Sequence, residues 1–453
     1  MKLTSYDRIE HTMGNIGAKI TEATNTQSKR ESIFVFILVL VLLILYIYYR
    51  TSNSAPVLPS GRDITMEDQQ KLVDQSYNGR SSSKRAITTD SAEMAKIKFK
   101  SLVNFYALAC RYTGYIGPID DGYFDPSTSV QMAVNAGCRV FVLDIDYIDK
   151  QCNSSTYIPR IVVRDSKGRM MIQYNKNYQL NNPAGEIRQV CEAIQTYAFG
   201  SGCQNAADPI IIVLYFLRTP PGGSKSLPVL NYYSMVAKAL TPFRDRLLGN
   251  EPNGGTFHRQ SQESILLINN ITDYSGKVLI FSNANTSGFR ESKMPFTSHD
   301  DLDFLVNLRL TYTLTKMGST ENNKTTSFGI LQSADDYMNV PEDRKSEVIQ
   351  QTKAKWTICL SPNPSLPVTQ AVYDTITKKY GVHCVPANLF DIEASKFLFT
   401  DDLFKTYGFR PKPCPDVTNS DTCLCFIPPV KVVAGETSKT LNAAGGNLKM
   451  PSM

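Results

Sequence analysis

An α/β chain folded as a closed (β/α)8 barrel, preceded by one transmembrane helix, is the architecture the sequence predicts. Three observations point to it. Residues 33–49 form an apolar run without charge, Gly or Pro. Beyond about residue 100, short aliphatic runs alternate with helical segments, the pattern of α/β proteins. No Gly-x-Gly-x-x-Gly turn follows the first strand, which argues for a barrel over a doubly wound nucleotide-binding sheet. The 453 residues are 42% hydrophobic and 20% charged, ordinary globular values. A formal charge of +6 on scattered Lys and Arg, with no nucleic-acid-binding signature, excludes nucleic acid as an expected partner.

Residues 1–31 are polar. The run at 33–49, within an expected transmembrane helix at 32–50, spans most of a hydrocarbon core of ~30 Å. Lys29, Arg30 and Arg50 bracket it, and Tyr46, Tyr48 and Tyr49 sit where an interfacial aromatic belt would lie. The long polar lead and the lack of a prompt small-residue cleavage site favour an uncleaved anchor over a signal peptide. The lipid bilayer is therefore an expected partner. Lys and Arg flank both sides: Lys19, Lys29 and Arg30 before the run, against Arg50 and Arg62 after it, lean toward the non-cytoplasmic side as the expected side for the domain without fixing it.

Residues 51–87, rich in Ser, Asn, Gln, Arg and Lys, read as a flexible stalk. The barrel domain is expected over 88–412, opening with a helix start at Asp90-Ser91-Ala92-Glu93. Strands are expected at 102–109, 139–145, 161–163, 209–216, 277–281, 328–331, 356–360 and 383–386, several as continuous apolar runs suited to burial on both faces. Helices are expected at 130–136, 185–197, 230–248, 301–308, 342–353 and 368–380, with Gly137 and Gly381 as C-terminal caps. The Pro-, Thr-, Ala- and Gly-rich stretch 413–453 reads as a mostly disordered tail.

Of ten cysteines, Cys110, Cys138, Cys152, Cys191 and Cys203 lie in the first half of the region beyond the stalk and Cys359, Cys384, Cys414, Cys423 and Cys425 in the second. Cys423-x-Cys425 is too tight for an ordinary zinc-ligand pair and has no His-rich partner segment, so the cysteines read as buried small hydrophobes with one or two disulfides near the C-terminus.

The segment Ser127-Thr128-Ser129-Val130, followed by Ala136-Gly137-Cys138-Arg139-Val140-Phe141-Val142-Leu143-Asp144-Ile145, resembles the X region of phosphatidylinositol-specific phospholipase C. Asp208-Pro209-Ile210-Ile211-Ile212-Val213-Leu214 resembles a later strand of that family. Arg246-Leu247-Leu248-Gly249 with Gly276-Lys277-Val278-Leu279-Ile280 resembles the approach to the next strand, and Trp356-Thr357-Ile358-Cys359-Leu360 with Tyr373 and Gly381 the late strand and helix. The four stretches keep the family's order over residues 100–408 and look most like the divergent phospholipase-C-like proteins of large DNA viruses. The resemblance implies a distorted TIM barrel of the phospholipase-C-like phosphodiesterase type, with viral or host proteins as possible partners.

The resemblance also implies two catalytic histidines, a general base and a general acid each titrating near neutral pH. At the first position this sequence reads Cys110-Arg111-Tyr112-Thr113-Gly114, and at the second Pro159-Arg160-Ile161-Val162-Val163-Arg164-Asp165. Its four histidines, His11, His258, His299 and His383, lie outside those motifs. The family's calcium ligands are hard oxygens. Val142 and Tyr215 stand at two of those positions and Asp144 is kept, so calcium is not expected; Asp144 and Asp146 are the candidate metal ligands that remain.

Barrel sites lie at the C-terminal ends of strands. Arg111, Arg164 and Arg218 fall near such ends and are candidates to bind a phosphate or an anionic lipid headgroup, while Asp144 and Asp165 are candidates for residual acid–base chemistry. Tyr112, Tyr115, Tyr123, Phe124 and Tyr147 are candidates for an aromatic-lined mouth. The leading expectation is a barrel without catalysis, used for structure or interaction in a virion or host membrane. An active phosphoric diester hydrolase with a rearranged site, and a phosphoinositide- or sugar-headgroup-binding module, are the alternatives.

Overall fold

In the computed structural model, residues 35, 37–46, 84–116, 123–147, 156–164, 170–171, 185–248, 263–289, 300–312, 328–360, 368–389, 402–414 and 423–427 are described. The chain divides into two units, Met1–Ile64 and Thr65–Met453. In the first, Val35 and residues 37–46 are helical, and their large apolar side chains are all exposed. Among the described residues no helix is long and apolar enough to cross a membrane. The rest of the run expected to span the bilayer, at 33, 34, 36 and 47–49, lies outside them.

Among the described residues of the second unit, the strands are β1 Phe105–Ala107, β2 Ala109–Cys110, β3 Tyr115–Ile116, β4 Tyr123–Phe124, β5 Val140–Asp146, β6 Arg160–Ile161, β7 Val163–Arg164, β8 Met170–Met171, β9 Ile210–Phe216, β10 Val278–Ser282, β11 Leu308–Thr311, β12 Gly329–Gln332, β13 Trp356–Cys359 and β14 Phe409–Pro411. Seven of them form a continuous parallel sheet in the order β13-β12-β11-β10-β9-β5-β2. The sheet curls. Isolated parallel bridges tie Ile358 in β13 to Cys384, and Cys110 in β2 to Ala387, so one short segment touches both edges. The Arg111 N–H donates to the Ala387 carbonyl at 2.9 Å, and the Cys359 N–H to Cys384 at 2.9 Å. A curled parallel α/β sheet of this kind fits a TIM-like barrel.

Side-chain alternation separates two apolar clusters. Val140, Val142, Ile211, Val213, Leu279, Phe281, Leu308, Leu310, Leu331, Trp356 and Ile358 fill the inside of the curl. Phe141, Leu143, Ile145, Ile210, Ile212, Leu214 and Ile280 face outward and pack under the helices Pro126–Asn135, Gly185–Ala198 and Leu227–Ala239. Both faces of β5, β9 and β10 are buried, which is why these strands read as unbroken apolar runs.

Local signals act where expected. The Asp90 carboxylate accepts from the Glu93 N–H and starts the helix Ser91–Lys96. Asp125 caps Pro126–Asn135, which has Pro at its first position. Gly137 closes that helix at φ +91°; a Cβ there would collide with the Lys84 side chain.

The structure corrects several sequence expectations. Residues 161–163 are not a barrel strand: β6 runs antiparallel to β5, and β7 pairs with β8 as a separate ribbon. The missing parallel strand is β11, which begins at Leu308, the last residue of the expected helix 301–308. Only Leu302–Leu305 is helix, and the buried–exposed–buried–intermediate pattern of β11 leaves just two apolar positions as a signal. The folded unit begins before residue 88, since Lys84, Ala86 and Ile87 are buried. Within the expected tail, Cys423, Leu424 and Cys425 are buried too.

Trp356 is the largest fully buried side chain of the interior, edge-on to Phe281 at 4.8 Å. Trp356→Ala is expected to cost about 3–5 kcal/mol in urea unfolding of the full chain. A cost below ~1 kcal/mol would show that the interior cluster is not packed as described.

Candidate functional site

Neighbouring parallel strands share a direction, so the C-terminal ends of β2, β5, β9, β10 and β11 meet on one side. There the inward positions change from apolar to polar. Along β5 the inward residues run Val140, Val142, Asp144, Asp146, along β9 Ile211, Val213, Tyr215, and Arg111 directly follows β2.

These side chains pair with one another. The Arg111 Nη2 donates to Asp144 Oδ2 at 2.7 Å, while Nε lies 3.2 and 3.3 Å from the two carboxylate oxygens. Both side chains are buried, at 7% and 4% exposure. The guanidinium also lies 5.0 Å from the Tyr112 ring centroid and 5.7 Å from that of Tyr215. Burial works against the Arg111 charge, but Asp144, together with Tyr112 and Tyr215, outweighs it and holds the guanidinium above its ordinary value. Tyr215 shares a 2.8 Å hydroxyl–hydroxyl hydrogen bond with Tyr312 across the mouth. Burial raises both the Tyr112 and Tyr215 phenols.

A second pair sits beside the first. Arg218, just past β9, donates from Nε to Asp146 at 2.9 and 3.1 Å, and from Nη2 to the Tyr147 carbonyl at 2.7 Å. Its guanidinium stacks 4.3 Å from the Tyr147 ring centroid. Asp146 is fully buried, whereas the Arg218 side chain is 36% exposed. A third pair supports the same strand end: Arg160, opposite Asp146 in the β5–β6 register, donates to Glu186 at 2.6 Å.

Of the sequence candidates, Arg111, Asp144, Asp146 and Arg218 are thus brought together, in two couples. Arg164 is in β7, away from the parallel sheet, and nothing is described of its side chain; Asp165 lies outside the described residues. Tyr112, Tyr115, Phe124 and Tyr147 are all buried, so they offer no open aromatic face; the side chain of Tyr123 is not described. Sequence reasoning missed Tyr215 as a first-rank member of the cluster, and Tyr312, Arg160 and Glu186 altogether. Strand alternation from Val213 would have placed Tyr215 inside; the others carry no local signal.

Structural neighbours include phosphatidylinositol-specific phospholipases C and a glycerophosphoryl diester phosphodiesterase. PLC21 from L. pealei aligns with 14% identity and a TM-score of 0.43 over 69% of this chain; the chain spans only 37% of that neighbour's length. A calcium-dependent phosphatidylinositol-specific phospholipase C from Streptomyces antibioticus aligns with 10% identity and a TM-score of 0.40, over 69% of this chain and 99% of its own. A glycerophosphoryl diester phosphodiesterase from Parabacteroides distasonis gives 11% identity and a TM-score of 0.32, over 73% and 99%. No protein-family model and no curated protein sequence matches the chain.

Calcium takes six to eight oxygens at about 2.3–2.6 Å. Of the carboxylates that β5 presents here, Asp144 is already paired with Arg111 at 2.7 Å and Asp146 with Arg218 at 2.9 Å.

The one histidine among the described residues is His383, fully buried below the mouth and stacked on Trp356 at 6.0 Å. The Thr357 N–H donates to its Nδ1 at 3.0 Å. Nε2 therefore carries the proton and donates to the Val103 carbonyl at 2.6 Å. Burial, reinforced by the Lys412 charge, drives its pKa well below the ordinary 6.5. The ring is a neutral internal strut.

Two outcomes follow from this geometry. Arg111→Ala strands a buried carboxylate and is expected to cost about 3–5 kcal/mol, with Arg111→Met/Asp144→Leu recovering most of it in a double-mutant cycle. A single-variant cost under ~1 kcal/mol would contradict a buried pair. His383 binds its proton in the unfolded chain but not in the folded one. The stability it contributes is therefore present above about pH 6.5 and lost as pH falls below it, by up to ~1.4 kcal/mol per unit. Urea unfolding of His383→Gln across that range should show a flatter slope than the parent; an equal slope would refute the assignment.

Proposed function

We propose that this protein is a membrane-anchored, phospholipase-C-like TIM barrel whose mouth no longer performs phosphodiester cleavage, and that it serves a structural or interaction role in a virion or host membrane. One observation carries the reading. The two carboxylates that β5 presents at the mouth, Asp144 and Asp146, are each engaged by a guanidinium, from Arg111 and Arg218. Cleavage of a phosphodiester needs a base and an acid that exchange protons near neutral pH. Arginine is charged at every such pH, and the tyrosines that line this end are raised, so neither supplies that pair. The resemblance of residues 100–408 to the phospholipase C X region supports the family reading, and the residues at its two histidine positions support loss of the reaction. The charge-free apolar run at 33–49 supports the anchor, with the bilayer as partner.

The test is turnover by the folded full chain in detergent or vesicles. Phosphatidylinositol and an aryl phosphodiester would be supplied with and without calcium, from acid to alkaline pH. No release of phosphorylated headgroup is expected under any of these conditions. Turnover abolished by Asp144→Asn would overturn the proposal in favour of a diesterase with a rearranged site.

A further inference from the structure

At the far end of the sheet from the mouth, β1 pairs antiparallel with β14, and the chain then runs from Lys412 to Cys414 along the base. The segment Cys423–Phe426 returns to the same place. Asn104, fully buried, holds it from both sides: its amide donates to the Phe426 carbonyl at 3.0 Å and accepts from the Phe426 N–H at 2.6 Å. The Leu424 N–H adds a bond to the Pro413 carbonyl at 3.2 Å. This docking gathers the thiols of Cys414, Cys423 and Cys425 until their sulfurs all lie within 4.8 Å of one another. Cys414 and Cys423 stand 3.5 Å apart.

We propose that Cys414, Cys423 and Cys425 form a three-thiolate site for a thiophilic divalent cation of the zinc class, which fastens the C-terminal segment to the barrel base. Two geometric facts support a metal over a disulfide. The edge of a sulfur tetrahedron around zinc is about 3.8 Å for bonds near 2.3 Å; Cys414 and Cys423 stand 3.5 Å apart and all three sulfurs lie within 4.8 Å of one another. Three sulfurs converge, whereas a disulfide would use two and strand the third. Binding forms three sulfur–metal bonds and releases three thiol protons to solvent, with a water completing the fourth position. The spacing of Cys423 and Cys425, which alone argues against zinc, is offset by Cys414 arriving from the other side.

The experiment uses the full chain, purified reduced and free of metal, titrated first with Co2+ and then with Zn2+. One equivalent of Co2+ should bind with an intense near-ultraviolet thiolate charge-transfer band, and Zn2+ should displace it. Zinc should shield three thiols from alkylation in the parent protein, a readout that needs no variant. Cys423→Ser should weaken binding by about 100-fold or more, while Cys203→Ser, remote from the cluster, should leave it unchanged. Absence of a charge-transfer band with all thiols reduced would overturn the proposal. So would two thiols of this trio that resist alkylation until a reductant is added, the signature of a disulfide.

Discussion

A carboxylate taken out of water needs a cation or a full set of donors, and β5 takes two of them out at its final turn of inward positions. Asp144 and Asp146 extend the row that begins with Val140 and Val142, so they project into the same dry interior. Everything at the mouth is arranged around that requirement. Arg111 follows β2 directly because the neighbouring strand is where its guanidinium reaches Asp144. Arg218 follows β9, the neighbour on the other flank, and reaches Asp146. Tyr112 and Tyr215 bracket the first guanidinium with their ring faces. Tyr112 adopts φ 58° to do so, a backbone conformation that costs a non-glycine residue of order 1–3 kcal/mol.

The same arrangement leaves neither β5 carboxylate unpaired among the described residues. Reactive carboxylates need an unoccupied face toward the substrate. Here the guanidiniums occupy that face. The interior below is apolar down to Trp356, and the imidazole beneath it is locked into one tautomer by Thr357 and Val103. The chain therefore combines a barrel scaffold with a mouth satisfied by its own charges. The opposite end is sealed by β1, β14 and the cysteine-bearing segment that Asn104 holds in place.

Much of the fold was legible because long-range packing left a local trace. β5, β9 and β10 are buried on both faces, so their sequences are unbroken apolar runs. Asp125, Pro126 and Gly137 mark both ends of one helix by chemistry that any chain would show. β11 left no such trace, since half its residues face polar surroundings and a four-residue helix abuts it. The short segment touching both sheet edges has only isolated bridges, which no periodicity reveals. At the site, Arg111, Asp144, Asp146 and Arg218 could be nominated from their places at strand ends. Their pairing could not, because it joins residues 33 and 72 positions apart through the register of the sheet. The same applies to the thiol cluster: the sequence suggests disulfides near the C-terminus, but the meeting of Cys414 with Cys423 and Cys425 depends on the segment that Asn104 holds.

The most direct test of a mouth closed by its own ion pairs is calorimetric titration of inorganic phosphate and inositol phosphate into the folded full chain. The account predicts no saturable heat, because both guanidiniums are already engaged by Asp144 and Asp146. Saturable binding that disappears in Arg218→Ala would contradict it, and would show that a phosphate displaces Asp146 at an open site.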